Sequence, residues 1–158
     1  MMETKILVIE DESAISESIK SFFETEGYDV KVAADGSEGI NFFKMYDPDI
    51  TVLDITLPKK DGWQVCREIR ESSQKPIIMI STKGEVFDKV LGLELGADDY
   101  MVKPIDNKEL SARTGSSSMM RIFVSIIFFT SPGESNAVFR NFYVKLSARN
   151  FCERGFNS

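Results

Sequence analysis

Five short apolar runs, each followed by a stretch of helical periodicity, constrain this chain of 158 residues more than any other feature. The runs read KILVI at 5–9, DVKVA at 29–33, ITVL at 50–53, IIMIS at 77–81 and DYMV at 99–102. They are rich in β-branched residues, and most lack the in–out alternation of a half-solvated sheet, so they suit strands buried on both faces. Between them apolar residues recur at helical spacing. A helix is expected from Ser13, as its cap, through Glu26, with Ile15, Ile19, Phe22 and Phe23 inward and Gly27 ending it. Asp35-Gly36 turn into a second helix carrying Ile40 and Phe43, closed by Pro48. Gly62–Ser72 forms a third with Val65, Cys66 and Ile69 inward, and 86–95 a fourth with Val86, Val90 and Leu93 on one face, stopped by Gly96. Pro104 breaks the last strand, and Asn107 starts a fifth helix. Regular alternation of this kind means an α/β fold: a parallel sheet with helices on both faces.

In such sheets ligands sit beyond the carboxyl ends of the strands. Strand one ends in Glu10-Asp11-Glu12, strand three in Asp54, strand four in Ser81-Thr82 and strand five in Lys103-Pro104. A single polar residue at a strand end marks only where the strand stops. An acid pair, a lone acid, a hydroxyl and a lysine at four converging ends mark a site. Glu10, Asp11 and Asp54 bring up to three negative charges into one pocket, where like charges repel strongly. Lys103 supplies one compensating charge, and a hard divalent cation supplies two; oxygen ligands of this type favour Mg²⁺. Cation and lysine together attract a phosphoryl group, whose transfer needs neutralised oxygens and an in-line nucleophile. A carboxylate serves as that nucleophile by forming an acyl phosphate. Ser81 is placed to donate a hydrogen bond to a phosphoryl oxygen.

Composition narrows the alternatives. The chain has no histidine, which removes the commonest general base and any phosphohistidine within it. Its two cysteines, Cys66 and Cys152, have no metal-site spacing and give little reason for a disulfide. Residues 1–113 carry 23 acidic against 14 basic residues, so charge alone argues against a nucleic-acid surface there. MMETKILVIEDE is no signal region, and no stretch nears the roughly 20 apolar residues a membrane helix needs, so the expected location is cytoplasmic, with no membrane partner.

Residues 1–113 resemble the receiver domain of bacterial two-component response regulators. The resemblance is carried by ILVIEDE (6–12), DITLPKKDG (54–62), MISTKGE (79–85), LGADDY (95–100) and Lys103-Pro104. It implies a flavodoxin-like, doubly wound sheet of five strands in the order 2-1-3-4-5, over a receiver domain set at 3–113. It also implies that Asp54 is the phosphoacceptor, with Mg²⁺ held by Glu10, Asp11, Asp54 and the backbone carbonyl of Thr56. Lys103 becomes the phosphoryl-pairing lysine, followed by a cis bond to Pro104. Ser81 becomes the switch hydroxyl and Tyr100 the switch aromatic. The implied partner is a sensor histidine kinase, and the implied chemistry is self-catalysed phosphotransfer and dephosphorylation rather than turnover of a free substrate.

Within the family the chain is most similar to the OmpR/PhoB type, which dimerises through helix four, strand five and helix five. Lys89, Asp99, Glu109 and Arg113 match interface charges of that type, implying Lys89–Glu109 and Asp99–Arg113 pairs across a homodimer. An acid usual beside Glu94 is replaced by Leu95. After Arg113 the pattern stops: Thr114–Ser118 is a linker by composition, 122–129 is a β-prone apolar run, and 114–158 carries seven of the twelve phenylalanines. A winged-helix DNA-binding domain needs more residues than this atypical tail offers, and 142–151 is only weakly similar to the start of one. The tail is read as truncated or frame-shifted, so DNA is a partner only where an effector domain exists. Three alternatives stay open: a stand-alone receiver acting by protein contact, an aspartate-nucleophile phosphatase of haloacid dehalogenase type, and a flavin-type binding module. Thr56 stands where the phosphatase needs a second aspartate, and the acids at 10–12 would repel a flavin phosphate.

Overall fold

The computed structural model describes residues 3–114. The expectations for the linker beyond Thr114, the apolar run at 122–129 and the segment 142–151 fall outside the described residues. Within them the order is β1 (Lys5–Ile9), α1 (Ser13–Thr25), β2 (Asp29–Ala33), α2 (Gly36–Tyr46), β3 (Ile50–Asp54), α3 (Gly62–Arg70), β4 (Ile77–Ser81), α4 (Val86–Glu94), β5 (Asp99–Val102) and α5 (Asn107–Thr114). The strands form one parallel sheet in the order β2-β1-β3-β4-β5. This is the expected flavodoxin-like, doubly wound arrangement.

Two apolar layers follow from the period of two along each strand. Leu7 and Ile9, Leu53, Ile77 and Met79, and Tyr100 pack with Ile40, Phe43, Val65, Cys66 and Ile69 of α2 and α3. Ile6 and Val8, Val52, Ile78 and Ile80, and Met101 pack with Ile19 and Phe23 of α1 and Leu110 of α5. The central strands are therefore apolar on both sides, which is why their sequences show no alternation.

Local chemistry sets the ends. Asp35 caps α2 by accepting from the Glu38 amide at 2.8 Å, and Asp61 caps α3 by accepting from the Gln64 amide at 2.9 Å. Gly62 must be glycine: a β-carbon there would lie 2.3 Å from the Asp54 carbonyl oxygen. That close approach folds the β3–α3 loop tightly back on the strand end.

Three expectations need correction. Ser13 is the first residue of α1 rather than its cap; Glu12 is the cap and makes no side-chain capping bond. Helix α3 ends at Arg70, two residues before Ser72. Val86 is not inward: it is 66 % exposed, its neighbour Phe87 is 73 % exposed, and Gly92 is the one fully buried residue of α4.

Candidate functional site

The carboxyl ends of β1, β3, β4 and β5 converge as the sequence predicts. Asp54 is the last residue of β3, paired in register with Ile80 of β4, and is only 2 % exposed. Glu10 follows β1 and is equally buried, while Asp11 beside it is exposed. One carboxylate oxygen from each of Glu10, Asp11 and Asp54 lies within 4.8 Å of the others. Lys103 enters from the end of β5. Its Nζ is 2.9 Å from Glu10 Oε2, 3.4 Å from Asp54 Oδ2 and 3.7 Å from Glu12 Oε1. The Lys103–Pro104 peptide is cis.

Each group is shifted by this arrangement. Burial pushes the Asp54 carboxyl above its ordinary value; the charge of Lys103 and the amides of Thr56 and Ile55 pull it back without cancelling the effect. Burial also raises Glu10, against the opposing Lys103 contact and the Glu12 amide, which donates to Glu10 Oε1 at 3.0 Å. For Lys103 burial acts downward, but Glu10 and Asp54 outweigh it and hold the ammonium charged above its usual range. The Lys103–Glu10 contact is short but off the hydrogen-bonding direction, so Glu10 Oε2 is a buried oxygen with a charge partner and no hydrogen bond. An oxygen in that state has a lone pair to give.

Ser81, at the end of β4, is fully buried, and its Oγ accepts from the Lys83 amide at 3.0 Å. Tyr100 lies inward, 8 % exposed, and its hydroxyl donates to the Lys83 carbonyl at 2.7 Å. Both anticipated switch residues thus meet at one short loop, residues 82–85, between β4 and α4. Thr56 is exposed in the β3–α3 loop.

The four anticipated interface charges fall in two groups. Lys89 is exposed on α4. Arg113 joins the other two within the same chain: Nη1 is 2.5 Å from Asp99 Oδ2, and Nη2 is 2.6 Å from Glu109 Oε1.

Two features escaped the sequence reading. Glu12 adds a third acid to Lys103; its place in the Glu10-Asp11-Glu12 triplet was the available signal. Arg70 and Asp98 form a buried ion pair at 2.6 Å, with Arg70 also donating to the carbonyls of Gly96 and Lys75 and Asp98 accepting from the Ile77 amide. That network fastens the end of α3 to the start of β4, and no periodicity announces it.

Comparison with known proteins agrees with this geometry. The family model described as response regulator receiver domain matches residues 6–114. A probable transcriptional regulator ycf27 from Porphyridium aerugineum is 49 % identical over 116 residues, 73 % of this chain and 48 % of that protein. The ycf27 protein of Guillardia theta is 49 % identical over 109 residues, covering 69 % of this chain and 43 % of its own length. The chain therefore spans about half the length of these curated relatives. Among solved structures, the receiver domain of Francisella response regulator 1452 aligns with a TM-score of 0.69 at 31 % identity, over 78 % of this chain and 99 % of that one. The BeF3-activated N-terminal receiver domain of Klebsiella pneumoniae RstA aligns with a TM-score of 0.68 at 32 % identity, over 70 % of this chain and 95 % of that one. With the fold, the strand-end acids and the match over 6–114 in agreement, the chain belongs to the response regulator receiver domain family and carries the receiver of a two-component response regulator.

Proposed function

We propose that Asp54 is the phosphoacceptor and takes its phosphoryl group from a phosphohistidine on a sensor kinase. The supporting observation is a buried carboxylate at a strand mouth with Lys103 Nζ 3.4 Å from Oδ2. An Asp54 oxygen attacks phosphorus, the P–N bond breaks, its electron pair goes to the imidazole nitrogen, and an acyl phosphate forms. Burial raises the basicity of that carboxylate. Lys103 lies close enough to pair with a phosphoryl oxygen in place of Asp54.

Mg²⁺ fits the donors present: hard oxygens from Glu10, Asp11 and Asp54 within 4.8 Å, one of the residues open to solvent, and a buried Glu10 oxygen without a hydrogen bond. The Thr56 carbonyl is our candidate for a fourth protein ligand. When bound, the ion would neutralise carboxylate and phosphoryl charge.

The output face is α4, β5 and α5, reached through Ser81 and Tyr100. Tyr100 is inward in this structure and bonds the Lys83 carbonyl beside Ser81, so both residues are placed to respond together to a phosphoryl group on Asp54. A phosphoryl oxygen would take the Ser81 hydroxyl as donor. We assign the chain to the OmpR/PhoB type, with receiver boundaries at 3–113 and a homodimer through this face. In that dimer Arg113 would exchange its own Asp99 for the partner's. The relatives are named probable transcriptional regulators, and we place this receiver in a cytoplasmic protein of that kind, with DNA bound by an effector domain. Among the described residues no helix is long and apolar enough to cross a membrane.

Incubation with acetyl phosphate and Mg²⁺ should add one labile phosphoryl group by intact mass. An Asp54→Ala protein that still gains that group would sink the assignment.

A further inference from the structure

Helix α4 rests on the sheet in an unusual way. Its first turn exposes Val86 and Phe87, its other apolar residues are half-buried, and Gly92 is its one fully buried residue. A β-carbon at position 92 would lie 3.0 Å from Tyr100 Cδ2, 3.2 Å from Met79 Sδ and 3.4 Å from Trp63 Cζ3. Contacts of 3.0 to 3.4 Å are too tight for a methyl group unless the neighbour gives way. Met79 is fully buried in β4. The Tyr100 ring is the nearest of the three, and its hydroxyl is held on the Lys83 carbonyl. Apart from proline, glycine is the weakest helix former, and nothing in α4's own geometry asks for it at position 92. It is not a residue of positive φ.

We propose that Gly92 is a positioning residue: its missing side chain is the space that admits Tyr100 in its inward state, and α4 senses the ring through that contact. The idea rests on the reading of Tyr100 as the residue that follows the state of Asp54. It adds the element on which the ring acts. With the ring inward, Tyr100 bonds the Lys83 carbonyl beside Ser81 and lies flush against Gly92. With a methyl group at 92, ring or helix must give by a few tenths of an ångström. Trp63, in contact with the same spot, is the chain's sole tryptophan and a built-in reporter.

The test uses the full chain and four proteins: wild type, Gly92→Ala, Tyr100→Ala and the double variant. Alanine favours a helix, so Gly92→Ala should raise the melting temperature in the Tyr100→Ala background. In the wild-type background the same change should leave it unchanged or lower it. Equal rises in both backgrounds would overturn the proposal. A second readout separates positioning from mere packing. After acetyl phosphate and Mg²⁺, Gly92→Ala should take up its phosphoryl group as the wild type does. It should lose most of the Trp63 emission change that accompanies uptake in the wild type. A response of wild-type size in Gly92→Ala, or none in the wild type, also overturns the proposal. If no phosphoryl group is gained by the wild type, the phosphoacceptor reading fails, while the melting comparison still judges the contact by itself.

Discussion

Replacing Asp54 by asparagine should stabilise the fold, because a buried acid cluster is being relieved. At an effective dielectric near 20, Glu10 at up to 4.8 Å repels Asp54 by about 3.5 kcal/mol, and Lys103 at 3.4 Å attracts it by about 5 kcal/mol. Exposed Asp11 adds only about 1 kcal/mol of repulsion through water-like surroundings. The Coulomb contributions nearly cancel. What remains is the cost of burying the charge, the leading cause of the raised Asp54 value. A neutral amide at this position would keep the shape and accept from the same backbone N–H groups without that cost. The expected gain is about 1–2 kcal/mol, or a melting temperature higher by roughly 3–8 °C for a domain of this size.

The pH dependence fixes the sign. Glu10 and Asp54 have folded values above their ordinary 4.5 and 3.8, so they favour the fold most when protonated. That contribution is complete below those ordinary values and fades as pH rises through the raised ones. The wild type therefore loses stability toward pH 7 that the Asp54→Asn variant does not lose at position 54. Melting curves in EDTA should coincide near pH 4 and separate by pH 7, the variant melting higher. Saturating Mg²⁺ should close the gap by raising the wild type more. A variant that melts at or below the wild type in EDTA at pH 7 would refute the reasoning.

Three further outcomes are expected. Asp11→Ala should weaken Mg²⁺ binding by about tenfold or more, as followed by calorimetry, since a site with few protein ligands cannot spare one. Ser81→Ala should still gain a phosphoryl group, but hydrogen exchange in residues 86–103 should no longer respond to beryllofluoride; a response equal to the wild type would refute the coupling. Arg70→Met should cost about 3 kcal/mol in urea unfolding, because it takes the guanidinium from the buried Asp98 carboxylate and from three backbone carbonyls; a loss below about 1 kcal/mol would show that the other partners of Asp98, the Ile77 amide among them, suffice.

The sheet was legible because each strand is an apolar run bounded by turn residues, and the site because its side chains follow directly on strand ends. What stayed hidden depends on partners far along the chain. Ser13 has the chemistry of a cap, but the chain enters α1 at Glu12, whose side chain leans toward Lys103 instead of capping. Arg70 and Asp98 are both charged, and nothing local says that they bury one another. Helix α4 defeats the periodic reading because its deepest contact is made by a residue with no side chain. Hydrophobic patterning records what is buried by size; a contact that works by leaving space gives no such signal.

The same weakness in α4 bears on how a small event at Asp54 could be felt at the surface. Helix α3 anchors itself with Gly62, Val65, Cys66 and Ile69, three of them with side chains deep in the core. Burying such side chains is worth about 1.5–3 kcal/mol for each large one. Helix α4 has no comparable anchor. A hydrogen bond from Ser81 to a charged phosphoryl oxygen is worth about 1.5–3 kcal/mol. A ligand interaction moves an equilibrium only by its differential free energy, here a factor of roughly 10–100. That is too little to dislodge α3 and enough to redistribute an element held as lightly as α4. The exposed Val86 and Phe87 belong to the same light seating: the first turn of α4 buries no large side chain that would pin it.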